Sequence, residues 1–147
     1  MRRNKYGVAP KEERTFNGKV YPSKAEMTRA EQHAIASKVD GYAVVEQPKF
    51  TLGCPENVYR ADFLLSSTRP IRFFLADGRT VTETQWVEDV KGVETAKFKR
   101  DVKLWRSYGP CVLVILKRSG GSWKRTYVVP GEPAPKVKRK RRTSPAV

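Results

Sequence analysis

Asp77-Gly78 is a two-residue turn signal set between two arms, residues 71–76 and 79–91, and it predicts an antiparallel hairpin. The second arm ends in Trp86-Val87-Glu88-Asp89-Val90-Lys91-Gly92. Val81, Trp86, Val87 and Val90 favour a pleated environment, and Gly92 closes the strand. Side chains two apart on a strand share a face. Asp89 and Lys91 therefore stand side by side, while Glu88 and Val90 point the other way. A carboxylate beside an ammonium at a strand end is what metal-assisted phosphodiester hydrolysis needs: the acid holds a divalent cation, and cation and Lys together offset charge on a phosphate. Taken alone, the same pair also describes a strand-end salt bridge.

The elements around this hairpin follow from local pattern. Residues 23–38 predict a first helix, with Ser23 as N-cap, Glu26 completing an S-x-x-E capping box, and Gly41 as terminator. Met27, Ala30, Ala34 and Ile35 give it an apolar face. Glu26 thus has a structural role as a cap, and His33 reads as a packed or solvated side chain. Residues 42–46 and 49–52 predict short strands, and 58–65 (VYRADFLL) a clearer one. In that strand Tyr59, Ala61 and Phe63 share one face, and Val58, Arg60, Asp62 and Leu64 the other. A carboxylate at Asp62, among apolar neighbours, is costly unless it is paired, protonated or metal-bound. Residues 94–108 predict a second helix with Phe98, Val102 and Trp105 as core face and Lys99, Lys103 and Arg106 as a basic stripe. Residues 111–116 are a strand-sized apolar run, and 123–129 follow as another strand after Gly120-Gly121.

Charge bounds the partner. The 147 residues hold 30 Lys and Arg against 15 Asp and Glu, a net +15, which predicts a polyanion and most simply nucleic acid. Lys136, Lys138, Arg139, Lys140, Arg141 and Arg142 account for six of those charges; subtracting them from +15 leaves +9 on residues 1–132. The organisation expected is a basic N-terminal arm (1–19), one domain (20–130) and a disordered basic tail (131–147). Arg2, Arg3 and Lys5 on the arm, the stripe on the second helix, and Lys138, Arg139, Lys140, Arg141 and Arg142 on the tail are the candidate DNA contacts. Two Cys and one His do not assemble a structural zinc site. No apolar run approaches the ~18 residues of a membrane span and no export signal is evident, so a soluble cytoplasmic protein without a membrane partner is expected.

The order is helix with Glu26, strand with Asp62, strand with Asp89-x-Lys91, helix with a basic stripe, then an apolar strand. It resembles the PD-(D/E)xK nuclease superfamily, an α/β (α+β) restriction-endonuclease-like fold with a mixed central sheet flanked by helices. Three segments narrow the likeness: Tyr21-Pro22-Ser23-Lys24-Ala25-Glu26, Tyr59-Arg60-Ala61-Asp62-Phe63 and Val87-Glu88-Asp89-Val90-Lys91-Gly92. They are similar to the phage endonuclease I branch, whose members resolve Holliday junctions and other branched DNA during recombination. The resemblance covers roughly residues 20–117. It departs from the pattern at Ala61, where the superfamily's name has Pro, and at Asp89, where Glu is commoner.

The resemblance implies Glu26, Asp62, Asp89 and Lys91 as catalytic residues. Asp62, Asp89 and Glu26 would be ligands to Mg²⁺ or Mn²⁺, Lys91 the catalytic lysine, and the molecule a homodimer. The host-cell cytoplasm would be its place if the chain is phage-encoded. The chemistry agrees, since carboxylates are hard ligands suited to Mg²⁺. Two other readings stand beside it: a nuclease of the same type acting on nicked, mismatched or duplex DNA, and a basic nucleic-acid-binding protein without catalysis.

Overall fold

A five-stranded mixed sheet carries the structure. The computed structural model describes residues 7–134 and 136. A 3-10 turn at Lys11–Arg14 is followed by β1 (Thr15–Phe16), β2 (Lys19–Val20), α1 (Lys24–Asp40), β3 (Tyr42–Glu46), β4 (Lys49–Thr51), β5 (Val58–Arg60), β6 (Phe63–Phe74), β7 (Thr80–Val90), α2 (Ala96–Tyr108), β8 (Val112–Ser119) and β9 (Ser122–Val128). The sheet order is β3-β6-β7-β8-β9, and β1-β2 and β4-β5 form small two-stranded sheets. Only the β7–β8 junction is parallel. It needs a crossover, which α2 provides. The result is the mixed α+β fold expected, with a central sheet between helices.

Each sheet face has its own core. On one, Tyr21 with Met27 and Ala30 of α1 packs on Phe63, Leu65, Trp86, Val112, Val114 and Leu116. On the other, Phe98 and Trp105 of α2, with Leu52 and Tyr59 from the β4-β5 region, cover Val87, Leu113 and Ile115. β8 is therefore buried on both faces, which explains its unbroken apolar run. Trp105 is fully buried, and its indole N–H donates to the Cys111 carbonyl at 2.8 Å.

α1 begins as expected. Ser23 Oγ accepts from the Glu26 N–H at 3.1 Å, and left-handed Gly41 (φ 71°) donates to Ser37 O at 3.0 Å. Its buried face differs from expectation: Glu26, Met27, Ala30 and His33 are inside, and Ile35 is 71% exposed. The helix is set by its polar anchors, described below, which rotate His33 inward at Ile35's expense. α2 starts at Ala96 rather than residue 94, because Thr95 is the cap and accepts from Phe98 N–H at 3.2 Å.

The strand over residues 58–65 is a correction. β5 ends at Arg60, Ala61 and Asp62 form a step, and β6 then runs from Phe63 to Phe74. The step resets the alternation. Tyr59 and Ala61 face the α2 side, while Phe63 faces α1. Residues 71–74 belong to the same long strand, interrupted between Ser66 and Ile71 by an irregularity in register. Pro70 lies in that irregular stretch, where a residue without an N–H is tolerated.

The turn at Asp77-Gly78 is also longer than the two residues expected. Gly78 N–H donates to Leu75 O at 3.1 Å and Leu75 N–H to Arg79 O at 2.8 Å, with Gly78 at φ 85°. This is a three-residue loop closed by a left-handed glycine. Two-residue hairpin loops occur instead at Asn17-Gly18, both at positive φ (52° and 77°), between β1 and β2, and at Gly120-Gly121 between β8 and β9. Part of the segment expected as a loose arm is thus structured. Arg14 Nη1 donates to Tyr21 O at 2.6 Å, and Lys19 pairs with Glu46 of β3.

Candidate active site

β7 divides its last side chains between two environments, as its alternation requires. Val87 and Asp89 face the α2 side with Lys91 following; Trp86 and Glu88 face α1.

Asp89 is fully buried. Tyr59 Oη donates to its Oδ2. Its Oδ1 lies 3.0 Å from Lys91 Nζ, at an angle that leaves Oδ1 with a charge partner and no directed hydrogen-bond donor. Lys91 is about a quarter exposed, at 27%, and rests 4.8 Å from the centroid of the Phe98 ring. The ammonium is therefore held between α2 and the strand end, with one side open.

Asp62 stands at the step where β6 begins. Its Oδ2 accepts from Val90 N–H at 2.7 Å, and its own N–H donates to Glu88 O at 3.2 Å. Two hydrogen bonds to β7 thus fix it beside Asp89. Burial pushes its carboxyl up to about 8, and the negative charges of Asp89 and Glu26 push the same way. Glu26, in the first turn of α1, is buried, and burial followed by the charge of Asp89 raises it to about 7, against the pull of Lys19 and Lys91. Its carboxylate reaches into the site, and Oε1 accepts from Gln47 Nε2 at 3.0 Å. The four residues singled out from sequence are thus brought to one place: Glu26, Asp62 and Asp89 feel one another's charge, and Lys91 pairs with Asp89.

Two contributors were not foreseen. From the sequence, Tyr59 reads only as a strand-face residue. Gln47 joins the acids from the β3–β4 connection. Its side chain binds Glu26, its N–H donates to Asp62 O at 2.9 Å, and its φ is 54°. A non-glycine residue at positive φ is uncommon and concentrates at functional sites. Pro48 next to it was the only sequence signal there, and it marks a break rather than a contact.

Glu88 confirms the division of β7. It faces α1, where Arg29 donates to both its oxygens (2.8 and 2.6 Å) and His33 Nε2 lies 2.7 Å away. His33 Nδ1 is 2.8 Å from Tyr42 Oη. Burial alone would raise the Glu88 pKa, yet the hydrogen bonds from Arg29 and His33 outweigh it and hold it down at about 2. His33 is a packed residue in this cluster.

The candidate DNA contacts are distributed unevenly. Lys99 and Lys103 are exposed on α2, and Arg106 is half-buried. Arg2, Arg3, Lys5, Lys138, Arg139, Lys140, Arg141 and Arg142 lie outside the described residues.

As the side chains stand, no three His, Cys, Asp or Glu among the described residues are spaced to hold a metal ion. The donor chemistry nevertheless fits a hard divalent cation. Burial and the charge of Asp89 oppose ionisation of Asp62 and Glu26, and Asp89 Oδ1 is buried without a directed donor. A cation between them would relieve both. Among the described residues no helix is long and apolar enough to cross a membrane. Comparison with known proteins gives no match: no family model, no curated protein and no solved structure aligns significantly with the chain.

Proposed function

We propose that this protein is a metal-dependent endonuclease of the restriction-endonuclease-like type that cleaves phosphodiester bonds in four-way (Holliday) junctions and branched DNA. The observation that carries the reading is the meeting of Glu26, Asp62 and Asp89 with Lys91 at the end of β7. Support comes also from the order along the main sheet, α1, antiparallel β3, β6 and β7, crossover helix α2 and parallel β8, which keeps the helix–strand–strand–helix–strand sequence on which the resemblance rests. The raised carboxyls add to this, since perturbed acids with a specific charge partner concentrate at catalytic sites.

In this mechanism Asp62, Asp89 and Glu26 would hold Mg²⁺ or Mn²⁺. The cation supplies Lewis-acid polarisation of the phosphate and a more acidic water. Asp62 and Glu26 give up their protons to become ligands, because neutral carboxyls are poor ones. Tyr59 keeps Asp89 turned with Oδ1 towards Lys91. Lys91 places a positive charge where negative charge grows on the phosphate, and its open side is the approach for DNA. Gln47 keeps the Glu26 carboxylate aimed inward from its helix. A homodimer would place two such sites on two strands of a junction.

The test is Mg²⁺-dependent cleavage of a four-way junction compared with a linear duplex of the same sequence. Two symmetric nicks in the junction alone are the expected result. Equal cutting of both would leave the chemistry and overturn the substrate. No cutting of either with Mg²⁺ or Mn²⁺ would leave a basic nucleic-acid-binding protein.

A further inference from the structure

β8 and β9 extend the sheet beyond the acids as a hairpin whose segment 117–125 reads KRSGGSWKR, with four basic residues and no acid. Register places two of them in line with the site. Asp89 is opposite Ile115 on the parallel neighbour, and Lys91 N–H donates to Leu116 O at 2.9 Å. Two residues beyond Ile115, on the same face, is Lys117, whose partner on β9 is Lys124. Lys91, Lys117 and Lys124 thus form a row across three adjacent strands, on the face that carries Asp89. Neighbouring strands are ~4.8 Å apart, so the row leads away from the acids by about two strand widths.

Folding does not explain this row. Like charges directly opposite in an antiparallel pair destabilise it. Lys117 has one acidic neighbour, Glu94 at 3.6 Å, in a half-exposed pair, and Lys124 is exposed with no ion pair among the described residues. The other face of the hairpin is different: there Arg118 sits 4.9 Å from the Trp123 ring centroid, and Trp123 Nε1 donates to Gln32 Oε1 at 2.9 Å. Arg118 on that face is thus packed against an aromatic ring, whereas Lys124 on the site face is exposed with no such partner among the described residues.

We propose that Lys117 and Lys124 form a backbone clamp for duplex DNA, holding the phosphates next to the one presented to Lys91. The proposal rests on the nuclease reading for its direction from the site. Charge names the occupant: three ammonium groups in a row, one of them (Lys124) without an ion pair among the described residues and one (Lys117) in only a half-exposed pair, beside the acids and Lys91 fit a regularly spaced polyanion.

The test is equilibrium binding of a four-way junction and of a linear duplex across a salt series, with the full chain carrying Asp62→Asn so that no cleavage intervenes. Each neutralised phosphate contributes about 0.9 to the slope of log K against log salt. Lys117→Gln and Lys124→Gln should each lower the slope by about one, and the double variant by about two. Lys117→Arg and Lys124→Arg should keep it, and Lys38→Gln, an exposed charge at the far end of α1, should leave it unchanged. Equal slopes for wild type and the double variant would overturn the clamp, as would an equal loss from Lys38→Gln. Relief of like-charge repulsion predicts melting temperatures at or above the parent; if one falls, the Arg variants separate lost charge from lost fold. The nuclease reading fails on a separate result, absence of cleavage by the unsubstituted chain, which these slopes do not depend on.

Discussion

Glu88 and Asp89 are chemically alike and adjacent, yet they end in opposite electrostatic worlds. Strand alternation sends Glu88 to a bidentate arginine that keeps it ionised, and sends Asp89 to a tyrosine, a lysine and two further acids. The proposed chemistry belongs to the second set alone. Lys91→Ala removes the positive charge at the phosphate and should lower the cleavage rate about 10²–10³-fold, the usual cost of one stabilising donor. Asp62→Asn should abolish Mg²⁺-dependent cleavage; single-turnover kinetics on a saturated junction checks both. Tyr59→Phe removes only the hydrogen bond that orients Asp89, and should lower the apparent metal affinity about 10–100-fold in a cation titration. Burial, with the neighbouring charges adding, raises Asp62 to about 8 and Glu26 to about 7. Cation binding should therefore release protons below those values and tighten as pH rises from 6 to 9, which calorimetry in buffers of different ionisation enthalpy measures. Asp62, Asp89 and Lys91 were legible in the sequence because each carries a local anomaly: an acid in an apolar stretch, or an acid and a lysine two apart. Tyr59 and Gln47 carry none. A tyrosine in a strand and a glutamine in a loop become site residues only through contacts made across 30 and 21 positions of chain.

At the scale of elements, the site depends on how α1 is fastened to β7. Glu26 rides on the helix and Asp89 on the strand, and Arg29, His33 and Glu88 join the two one turn and two turns along. Arg29→Ala leaves a buried carboxylate without its main partner and should cost about 3–5 kcal/mol in denaturant unfolding. The pH dependence has two limbs of opposite sign. Glu88 is depressed to about 2 from its ordinary 4.5, so its contribution is present above pH 4.5 and lost as pH falls towards 2. At ~1.4 kcal/mol for each unit between the two values, it is on the order of 3 kcal/mol. Asp62 and Glu26 are raised, so the metal-free protein loses stability as pH climbs from about 4 through 7 and 8. From these three groups, maximum stability of the metal-free protein should fall at about pH 4, and Mg²⁺ or Mn²⁺ should lift the alkaline limb and leave the acid limb in place. Melting temperatures measured across pH with and without the cation give both outcomes. The same scale shows where pattern reading stops. Helix caps at Ser23 and Gly41 were legible because they are local hydrogen bonds. The step at Ala61-Asp62 was not, because it exists only where the chain leaves one sheet for another, and VYRADFLL alternates smoothly through it.

Across the whole molecule, charge is sorted by depth. Among the described residues, the buried acidic and basic side chains are Glu26, Glu88, Asp89 and Asp101, all acids, with the imidazole of His33. No lysine or arginine among the described residues is fully buried, so their exterior is more basic than the composition alone implies, and a polyanion approaching from solvent meets cations first. The acids are then presented only at the end of β7, beside Lys91. In the proposed mechanism the acids would thus be screened by surface cations until a phosphate is held. It also separates affinity from chemistry across the chain. Residues 133–147 contribute six basic side chains and no acid, and the remaining +9 belongs to the part that carries the site. Removing 133–147 should therefore weaken DNA binding without ending it. If most of the six neutralise phosphates, the slope of log K against log salt should shrink by about four to five, and the melting temperature should stay unchanged. Asp62→Asn should do the reverse, ending cleavage while leaving the salt slope within about one of wild type. A truncated chain with an unaltered slope would place the whole DNA footprint on residues 1–132, around the lysine row and α2.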